Sequence, residues 1–379
     1  MKTPPKKIVI LTLPLGNNYG GLMQAYALQR VVSGMGYDAV TDRYACKNKS
    51  WKSYFLWLYL PVKYFLLRLL GKKMLDPESI IQRNENLSHF INENIRTVDF
   101  FKGHKRPTRN DIENYDVFLV GSDQVWRKKY VNIQSYLLSF LDRIHDKRFF
   151  SYGASFGCDN VEDWTNSDKK VAKRMLSQFA AISVREKSGV EILQKEFGVY
   201  ALCVLDPTML LSIEDYLYLD GVNNIKKEKK MLYCYILDLT DDKKDLIRSI
   251  KEERGLENIL LISPKIDKIK KDLPNNFKYP SIAEWLSGFR DADFVFTDSF
   301  HGSVFSLLFK KQFVCFINKS RGITRLESLF ETFKIKDRLI SSAQEYKKVS
   351  CSTINYNLVY SILEEKRKFS LDYLRNALM

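Results

Sequence analysis

Residues 294–309 read FVFTDSFHGSVFSLLF. The stretch opens as an apolar run, Phe294-Val295-Phe296, and passes through the polar Thr297-Asp298-Ser299. Beyond His301 and Gly302 it continues with apolar residues at helical rather than alternating spacing. A short apolar run bounded by turn formers reads as a strand buried on both faces, and a helix directly after it is half of a βαβ unit. The same alternation runs along the chain. Strands are expected at residues 7–13, 38–43, 115–120, 148–154, 180–184 and 201–205, and helices at 22–35, 168–179 and 186–197. At Asp206-Pro207-Thr208 the pattern pauses, because proline ends a strand and favours a turn. It then restarts, with strands at 230–237, 258–262, 294–297 and 312–316 and helices at 241–254, 281–289, 323–334 and 354–376.

Strands alternating with helices predict parallel sheets, and 379 residues are too many for one ordinary core. The expected fold class is α/β, with two doubly wound Rossmann-like domains facing a cleft. We divide the chain into residues 1–206 and 207–379, with the last helix expected to pack back on the first domain. In such sheets ligands bind beyond the carboxyl ends of the strands.

Composition narrows the function classes. A hydrophobic fraction of 45% with 13% aromatics supports packed cores and excludes wholesale disorder. The six cysteines, Cys46, Cys158, Cys203, Cys234, Cys315 and Cys351, are scattered without a CxxC pair. They read as reduced residues of a cytoplasmic protein, not a disulfide or zinc framework. No HxH, HExxH or acidic cluster marks a metal site. The opening MKTPPKKIVILTLPLG has basic residues before a short apolar run. No small-residue cleavage site follows, so a first strand fits better than a signal peptide. The net charge of +15 attracts polyanions or phosphorylated small molecules, but the lysines are dispersed and no nucleic-acid module appears. Nucleic acid is therefore not an expected partner. Residues 51–70, WKSYFLWLYLPVKYFLLRLL, stand outside the alternation. Two cations and a proline argue against a spanning helix. The segment, within a helical insertion at 51–74, reads either as a contact with a membrane interface or as a helical pair packed on protein.

Three polar sets sit just past strand ends. The first is Gly16-Asn17-Asn18-Tyr19-Gly20-Gly21, whose glycines allow close backbone approach and whose following helix offers free N–H groups. It is neither a GxGxxG fingerprint nor a P-loop, and an ordinary βα turn explains it equally well. The second is Gly121-Ser122-Asp123-Gln124-Val125-Trp126. Here Asp123 could take a proton from a hydroxyl and Trp126 could offer a ring face to a sugar. Alternatively Ser122 or Asp123 caps a helix and Trp126 is core. The third is the opening stretch, where Asp298 or Ser299 is the natural N-cap. Capping does not explain His301. A cationic ring gains nothing at a helix start, whereas an anionic ligand beside it favours the protonated ring, a general acid. His89, His104 and His145 lie in polar stretches and read as surface residues. An anion site also needs fixed cations. Arg185 ends a strand, and Arg321 and Arg325 follow the strand after the histidine helix. A guanidinium grips phosphate or carboxylate bidentately, although each arginine also has a surface ion pair as its plain reading.

The pieces GNNYGGLMQAYALQ (16–29), DVFLVGSDQVW (116–126), SYGASFG (151–157), ISVREKSG (182–189), VLDPTMLL (204–211), DFVFTDSFHGSVFSLLF (293–309) and RGITRLESLF (321–330) occur in this order. Together the chain resembles the polysaccharide pyruvyl transferase family. The resemblance implies a glycosyltransferase-B-like fold and transfer of an enolpyruvyl-derived group from phosphoenolpyruvate to a sugar, forming a pyruvate ketal on a surface-polysaccharide precursor. It implies His301 as acid or leaving-group stabiliser and Asp123 as the acceptor base. Arg185, with Arg321 or Arg325, would grip the donor, next to Ser299, Gly302 and Ser303. Asn17, Asn18, Tyr19, Gln24, Ser122 and Trp126 would face the acceptor. Where better-studied members carry arginine two places before the histidine, this chain has Ser299. Phosphoenolpyruvate would be a co-substrate, with no metal or other cofactor. The acceptor would be a lipid-linked oligosaccharide or other sugar, met at the inner face of the membrane. A glycosyltransferase using a nucleotide sugar and a non-catalytic assembly scaffold are the rival readings.

Overall fold

The computed structural model describes residues 5–44, 82–101, 106–219, 221–225, 229–266, 277–318 and 321–379. The aromatic stretch 51–70 and the rest of the insertion to 74 lie outside the described residues, as do Cys46 and His104.

In the first half, strands β1 (Lys7–Leu11), β2 (Asp38–Asp42), β3 (Thr97–Val98), β4 (Val117–Val120) and β5 (Arg148–Ser151) form a sheet in the order β3-β2-β1-β4-β5. Every pairing in it is parallel. Two further strands, β6 (Ser183–Val184) and β7 (Leu202–Cys203), pair with each other. Single bridges from Asp123 to Ala154 and from Ala154 to Val184 stitch this pair onto the larger sheet. The second half builds another parallel sheet from β8 (Met231–Tyr235), β9 (Asn258–Ile262), β10 (Phe294–Thr297), β11 (Phe313–Phe316) and β12 (Leu339–Ile340), in the order β12-β11-β10-β8-β9.

The strands are apolar on both sides because helices cover both faces of each sheet. In β1 and β4, Ile8, Ile10, Val117 and Leu119 point to one cluster, while Val9, Leu11, Phe118 and Val120 point to the other. The second sheet alternates likewise: Tyr233, Tyr235 and Val295 on one face, Cys234, Phe294 and Phe296 on the other. Capping boxes start several helices. Thr165 with Asp168 opens Asn166–Leu176, and Ser281 with Glu284 opens Ile282–Asp291. The long helix Tyr356–Leu378 leaves the second half and returns to the first. Its Tyr373, Leu374, Ala377 and Leu378 complete the cluster around Ile8 and Ile10, and the Tyr373 hydroxyl donates to the Ser151 carbonyl at 2.7 Å.

Both sheets have a switch point where the strand order reverses, between β1 and β4 in the first and between β8 and β10 in the second. Loops leaving adjacent strands diverge there and open a crevice. The two crevices face one another, and a side chain crosses between them. Tyr19 opens helix Tyr19–Gly34 of the first half, yet it is fully buried among residues of the second. Its ring stacks on Trp285 at 5.8 Å, meets Tyr235 edge-on at 6.0 Å, and its hydroxyl donates to the Pro280 carbonyl at 2.7 Å.

Candidate functional site

A cavity of about 330 Å³ lies between the facing crevices. The first half lines it with Asn17 and Asn18 from the turn after β1 and with Asp123 from the turn after β4. The second half contributes Ser299, Phe300 and His301 after β10, and Arg321 and Arg325 after β11.

His301 is the second residue of helix Phe300–Leu308, which Ser299 caps by accepting a hydrogen bond from the Gly302 amide at 3.3 Å. Asp298 is not the cap. It accepts from the Leu237 and Asp238 amides and from Lys243 Nζ, and so fastens the β8 loop to β10. The His301 ring is 5% exposed and lies directly on Gly20, where an added Cβ would stand 2.2 Å from Nδ1. Its Nε2 lies 3.6 Å from Asp206 Oδ2 and has no hydrogen-bond partner.

Asp206 follows β7 and stands behind His301. Thr208 holds its Oδ1 through both N–H and hydroxyl, at 3.1 and 2.6 Å. Its Oδ2 accepts from Arg185 Nη1 at 2.6 Å, and Arg185 Nη2 donates to Asp123 Oδ1 at 3.0 Å. The Arg185 side chain is 1% exposed and stands 4.5 Å above the Phe300 ring centroid. Arg185 is thus the hub of a buried carboxylate–guanidinium–carboxylate chain. The ends of β4, β6 and β7 supply its three members, and the stitching bridges hold those ends in register. Burial alone would push both carboxyls up, but the surrounding cations outweigh it. Arg185, His301 and Arg325 hold Asp123 below the usual carboxylate range, and His301 and Arg185 do the same for Asp206. Glu186 behaves oppositely. Burial raises its pKa despite Arg185 and Arg325, while Oε1 accepts from Ser155 Oγ and the Phe156 and Gly157 amides.

The two later arginines differ in what they have left to offer. Arg321 is engaged bidentately with Asp238, at 2.8 and 3.2 Å, and the same carboxylate takes Lys265 Nζ at 2.5 Å. Arg325 is buried on the cavity wall, and among the described residues its side chain makes one hydrogen bond, from Nη2 to the Arg321 carbonyl at 3.0 Å. Asp123 is 3.9 Å from Nη1, and Nε has no partner. Burial, with Arg185 next in weight, lowers its pKa to about 10. A buried guanidinium with donors to spare is costly unless an anion joins it.

Several expectations need correction. Trp126 offers no face to a ligand. It is fully buried against Phe156, and its Nε1 donates to the Tyr136 carbonyl at 3.2 Å. Ser122 and Gln24 are also sealed in, donating to the Gly153 carbonyl and to Thr12 Oγ1. Tyr19 joins the two halves instead of facing the cavity. Gly302 is pressed onto β10, where a Cβ would meet Thr297 Oγ1 at 2.1 Å, and the Ser303 hydroxyl donates to the Ser299 carbonyl; both build the helix start. Arg185 grips two protein carboxylates, so it positions the site and has no forked face free for a donor. Sequence reading did not assign site roles to Asp206 and Asp238. The signal for both was an acid immediately past an apolar strand, Val204-Leu205-Asp206 and Ile236-Leu237-Asp238.

The family model of polysaccharide pyruvyl transferase matches residues 18–320, most of the chain, from Asn18 through the His301 helix and stopping just before Arg321. The chain belongs to the polysaccharide pyruvyl transferase family. No curated protein matches it. Solved structures are similar at low identity. The UDP-GlcNAc 2-epimerase of Methanocaldococcus jannaschii, in complex with UDP-GlcNAc and UDP, is 12% identical, with a TM-score of 0.50 over 96% of this chain and 99% of its own. MnaA of S. aureus, in a co-structure with UDP, is 11% identical, with a TM-score of 0.48 over 97% and 94%. A UDP-glucosyltransferase from Polygonum tinctorium is 11% identical, with a TM-score of 0.47 over 100% and 99%. The epimerase likeness extends to the fold alone, and this pyruvyl transferase family member has the glycosyltransferase-B-like arrangement of two Rossmann-like units. Among the described residues no helix is long and apolar enough to cross a membrane, and no group of metal-ligating side chains gathers.

Proposed function

We propose that the cavity transfers the enolpyruvyl-derived group of phosphoenolpyruvate to a sugar of a surface-polysaccharide precursor. The product is a pyruvate ketal and inorganic phosphate. The observation that carries the reading is the juxtaposition of His301, backed by Asp206 at 3.6 Å, with the underemployed guanidinium of Arg325 on the same cavity wall. A trianionic donor needs a proton source at its methylene carbon and a fixed cation at its anionic end.

His301 delivers a proton to the methylene carbon, which becomes the methyl group. The adjacent carbon becomes oxocarbenium-like and is attacked by one sugar hydroxyl, whose proton passes to the Asp123 carboxylate. The carbon–oxygen bond to phosphate breaks, and a second sugar hydroxyl closes the ketal. Of the two hydroxyl protons, one restores the acid and the other leaves on phosphate. Arg325 anchors the donor in place of the arginine absent at Ser299, with Arg321 and Lys265 held at the mouth by Asp238. Phosphoenolpyruvate is a co-substrate, and the reading invokes no metal. Residues 1–206 form the acceptor side and 207–379 the donor side. A lipid-linked sugar is taken at the inner membrane face, with 51–70 as the contact, a reading that rests on the sequence of that segment.

Incubation with phosphoenolpyruvate and a panel of lipid-linked or nitrophenyl sugars tests this by phosphate release and ketal formation. Loss of His301 in His301→Ala should lower turnover by roughly 10²–10⁴-fold, and Arg325→Ala should raise the donor KM. Equal turnover in all three proteins overturns the site assignment. Release of a nucleotide from a sugar nucleotide, with phosphoenolpyruvate inert, replaces pyruvyl transfer with glycosyl transfer.

A further inference from the structure

A second cavity, of about 230 Å³, lies against Arg185. Three parts of the chain enclose it: the ends of β6 and β7 with the turn at Met209, helix Thr324–Thr332, and the returning helix Tyr356–Leu378. Exposure gives it a direction. Arg185 and Asp206 are buried at one end, whereas Lys187 and Phe369 are exposed and mark the mouth. The buried Met209, Leu329 and Phe333 make its walls apolar. Phe300 lines both this cavity and the first one, so the two share a wall.

The polar groups at the buried end are nearly all spent. Asp206 accepts from Thr208 and from Arg185 Nη1, and Arg185 Nη2 donates to Asp123. What remains is Arg185 Nε. Of the buried side-chain polar atoms on the residues lining this cavity, it is the one left without a hydrogen-bond partner, on a side chain 1% exposed. A buried donor left unmade is costly, which points to an acceptor from outside the chain. The guanidinium charge is already met by two carboxylates, so the acceptor should be neutral. The lysines at the mouth make no call for an anion either, since Lys187 Nζ is 2.9 Å from Glu331 and Lys366 Nζ 3.2 Å from Glu365. Water suits this end poorly. A buried water makes about three hydrogen bonds, and here it meets one unused side-chain donor among apolar walls. A molecule with an apolar body and one acceptor oxygen meets both demands. The size agrees, because an apolar cavity of about 150 Å³ holds benzene, and this larger one has room for a ring with a short substituent.

The structure assigns this cavity as a second small-molecule site, for a six-membered-ring compound whose carbonyl or hydroxyl oxygen accepts from Arg185 Nε while its ring lies among Met209, Leu329 and Phe333. The assignment goes beyond pyruvyl transfer and does not depend on it. Its occupant completes the bonding of the guanidinium that fixes Asp123 and Asp206. Binding there therefore braces the carboxylate that stands 3.6 Å from His301.

A matched pair of probes tests the assignment. Acetophenone carries the oxygen, and ethylbenzene has nearly the same shape without it. Binding of each is measured by calorimetry and ligand-observed NMR on wild type, Thr332→Trp and Thr332→Val, with melting temperature as the control for folding. Thr332 lines the cavity half-buried, and its hydroxyl bonds within its own helix, to the Ser328 carbonyl at 2.7 Å, so a larger side chain there can enter the cavity. Wild type should bind acetophenone and melt higher in its presence. Ethylbenzene should bind roughly fivefold or more weakly, the effect of one missing hydrogen bond. Thr332→Trp, which fills the space, should weaken acetophenone by roughly tenfold or more, and Thr332→Val should stay within about threefold of wild type. No acetophenone binding by wild type, equal affinity for the two compounds, or undiminished binding by a folded Thr332→Trp overturns the site. The comparison of the two compounds needs only wild type, so it decides the matter where Thr332→Trp does not fold. Binding as expected, with phosphoenolpyruvate inert on every sugar, leaves this site standing and removes the pyruvyl-transfer reading alone.

Discussion

Gly20→Ala isolates the contact between the two halves. Gly20 has ordinary helical backbone, so alanine suits the main chain and would favour the helix by up to about 1 kcal/mol. The methyl group, however, would stand 2.2 Å from His301 Nδ1, 2.3 Å from Cγ and 2.6 Å from Cβ. The Cβ of His301 is anchored to a buried helix, so rotating the ring cannot relieve all three contacts. Restoring ordinary contact requires the ring and the turn to separate by about 1 Å, and overpacking of this kind costs typically 1–3 kcal/mol. The helix gain offsets part of it, leaving a net destabilisation of about 0–2 kcal/mol. The catalytic effect is larger, because a misplacement of about 1 Å at a reacting group can cost on the order of 10²-fold in rate. Urea denaturation and phosphate release measure the two quantities. Gly21→Ala is the milder comparison, since its Cβ would meet the Asn18 side chain at 3.0–3.4 Å and leave the His301 contact untouched. A Gly20→Ala protein with wild-type turnover refutes the placement of His301 against the turn.

The two inner arginines should separate on a stability assay. Arg185→Met removes the guanidinium hydrogen-bonded to both buried carboxylates, leaving Asp123 with Arg325 at 3.9 Å and Asp206 with His301 at 3.6 Å, and should cost about 3–5 kcal/mol. Arg325→Met removes a buried cation with one hydrogen bond and should change stability by less than about 1 kcal/mol while weakening donor binding. Chemical denaturation tells the two apart, and equal losses contradict the assignment of Arg185 as hub and Arg325 as ligand anchor. Asp42 provides a pH test away from the site. Burial raises its pKa to about 7, against backbone hydrogen bonds led by the Phe100 amide, and its Oδ2 has no partner. Between the unfolded value and about 7 the folded chain holds the extra proton, so this group's contribution to stability is full at low pH and falls as pH rises through that window. Asp42→Asn should flatten that part of the stability–pH curve by up to roughly 4 kcal/mol. An unchanged slope in urea titrations from pH 4 to 8 discards the account.

Much of the architecture was legible because strands covered on both faces must be apolar throughout, and such runs are conspicuous. The expected strands at 258–262 and 294–297 coincide with β9 and β10. The two-residue strands β3 and β12 were invisible, since two residues cannot display a period. The expected strands at 148–154 and 180–184 shrank to β5 and β6 because the chain between them is held by single bridges instead of a continuous ladder. At the site, position past a strand end was readable, and it located His301, Asp123, Asn17 and Asn18. Side-chain direction was not. Trp126 and Ser122 share the Asp123 turn yet point into the core, and nothing in their spacing distinguishes them. Partnering was hidden too, since Arg321 and Arg325 look equivalent in sequence until Asp238 arrives from a distant strand to occupy one of them.

The return of helix Tyr356–Leu378 bears on how the protein is made. The face of the first sheet that carries Ile8, Ile10, Val117, Leu119 and Phe150 gains part of its cover from residues more than two hundred positions later. During synthesis that face stays incompletely shielded while the whole second half is being translated. At roughly 5–20 residues per second, the wait is on the order of ten seconds or more. Early release of the nascent chain, or truncation before Tyr373, would therefore leave an apolar patch on an otherwise formed sheet. Holdase chaperones should favour such a fragment over the full-length product.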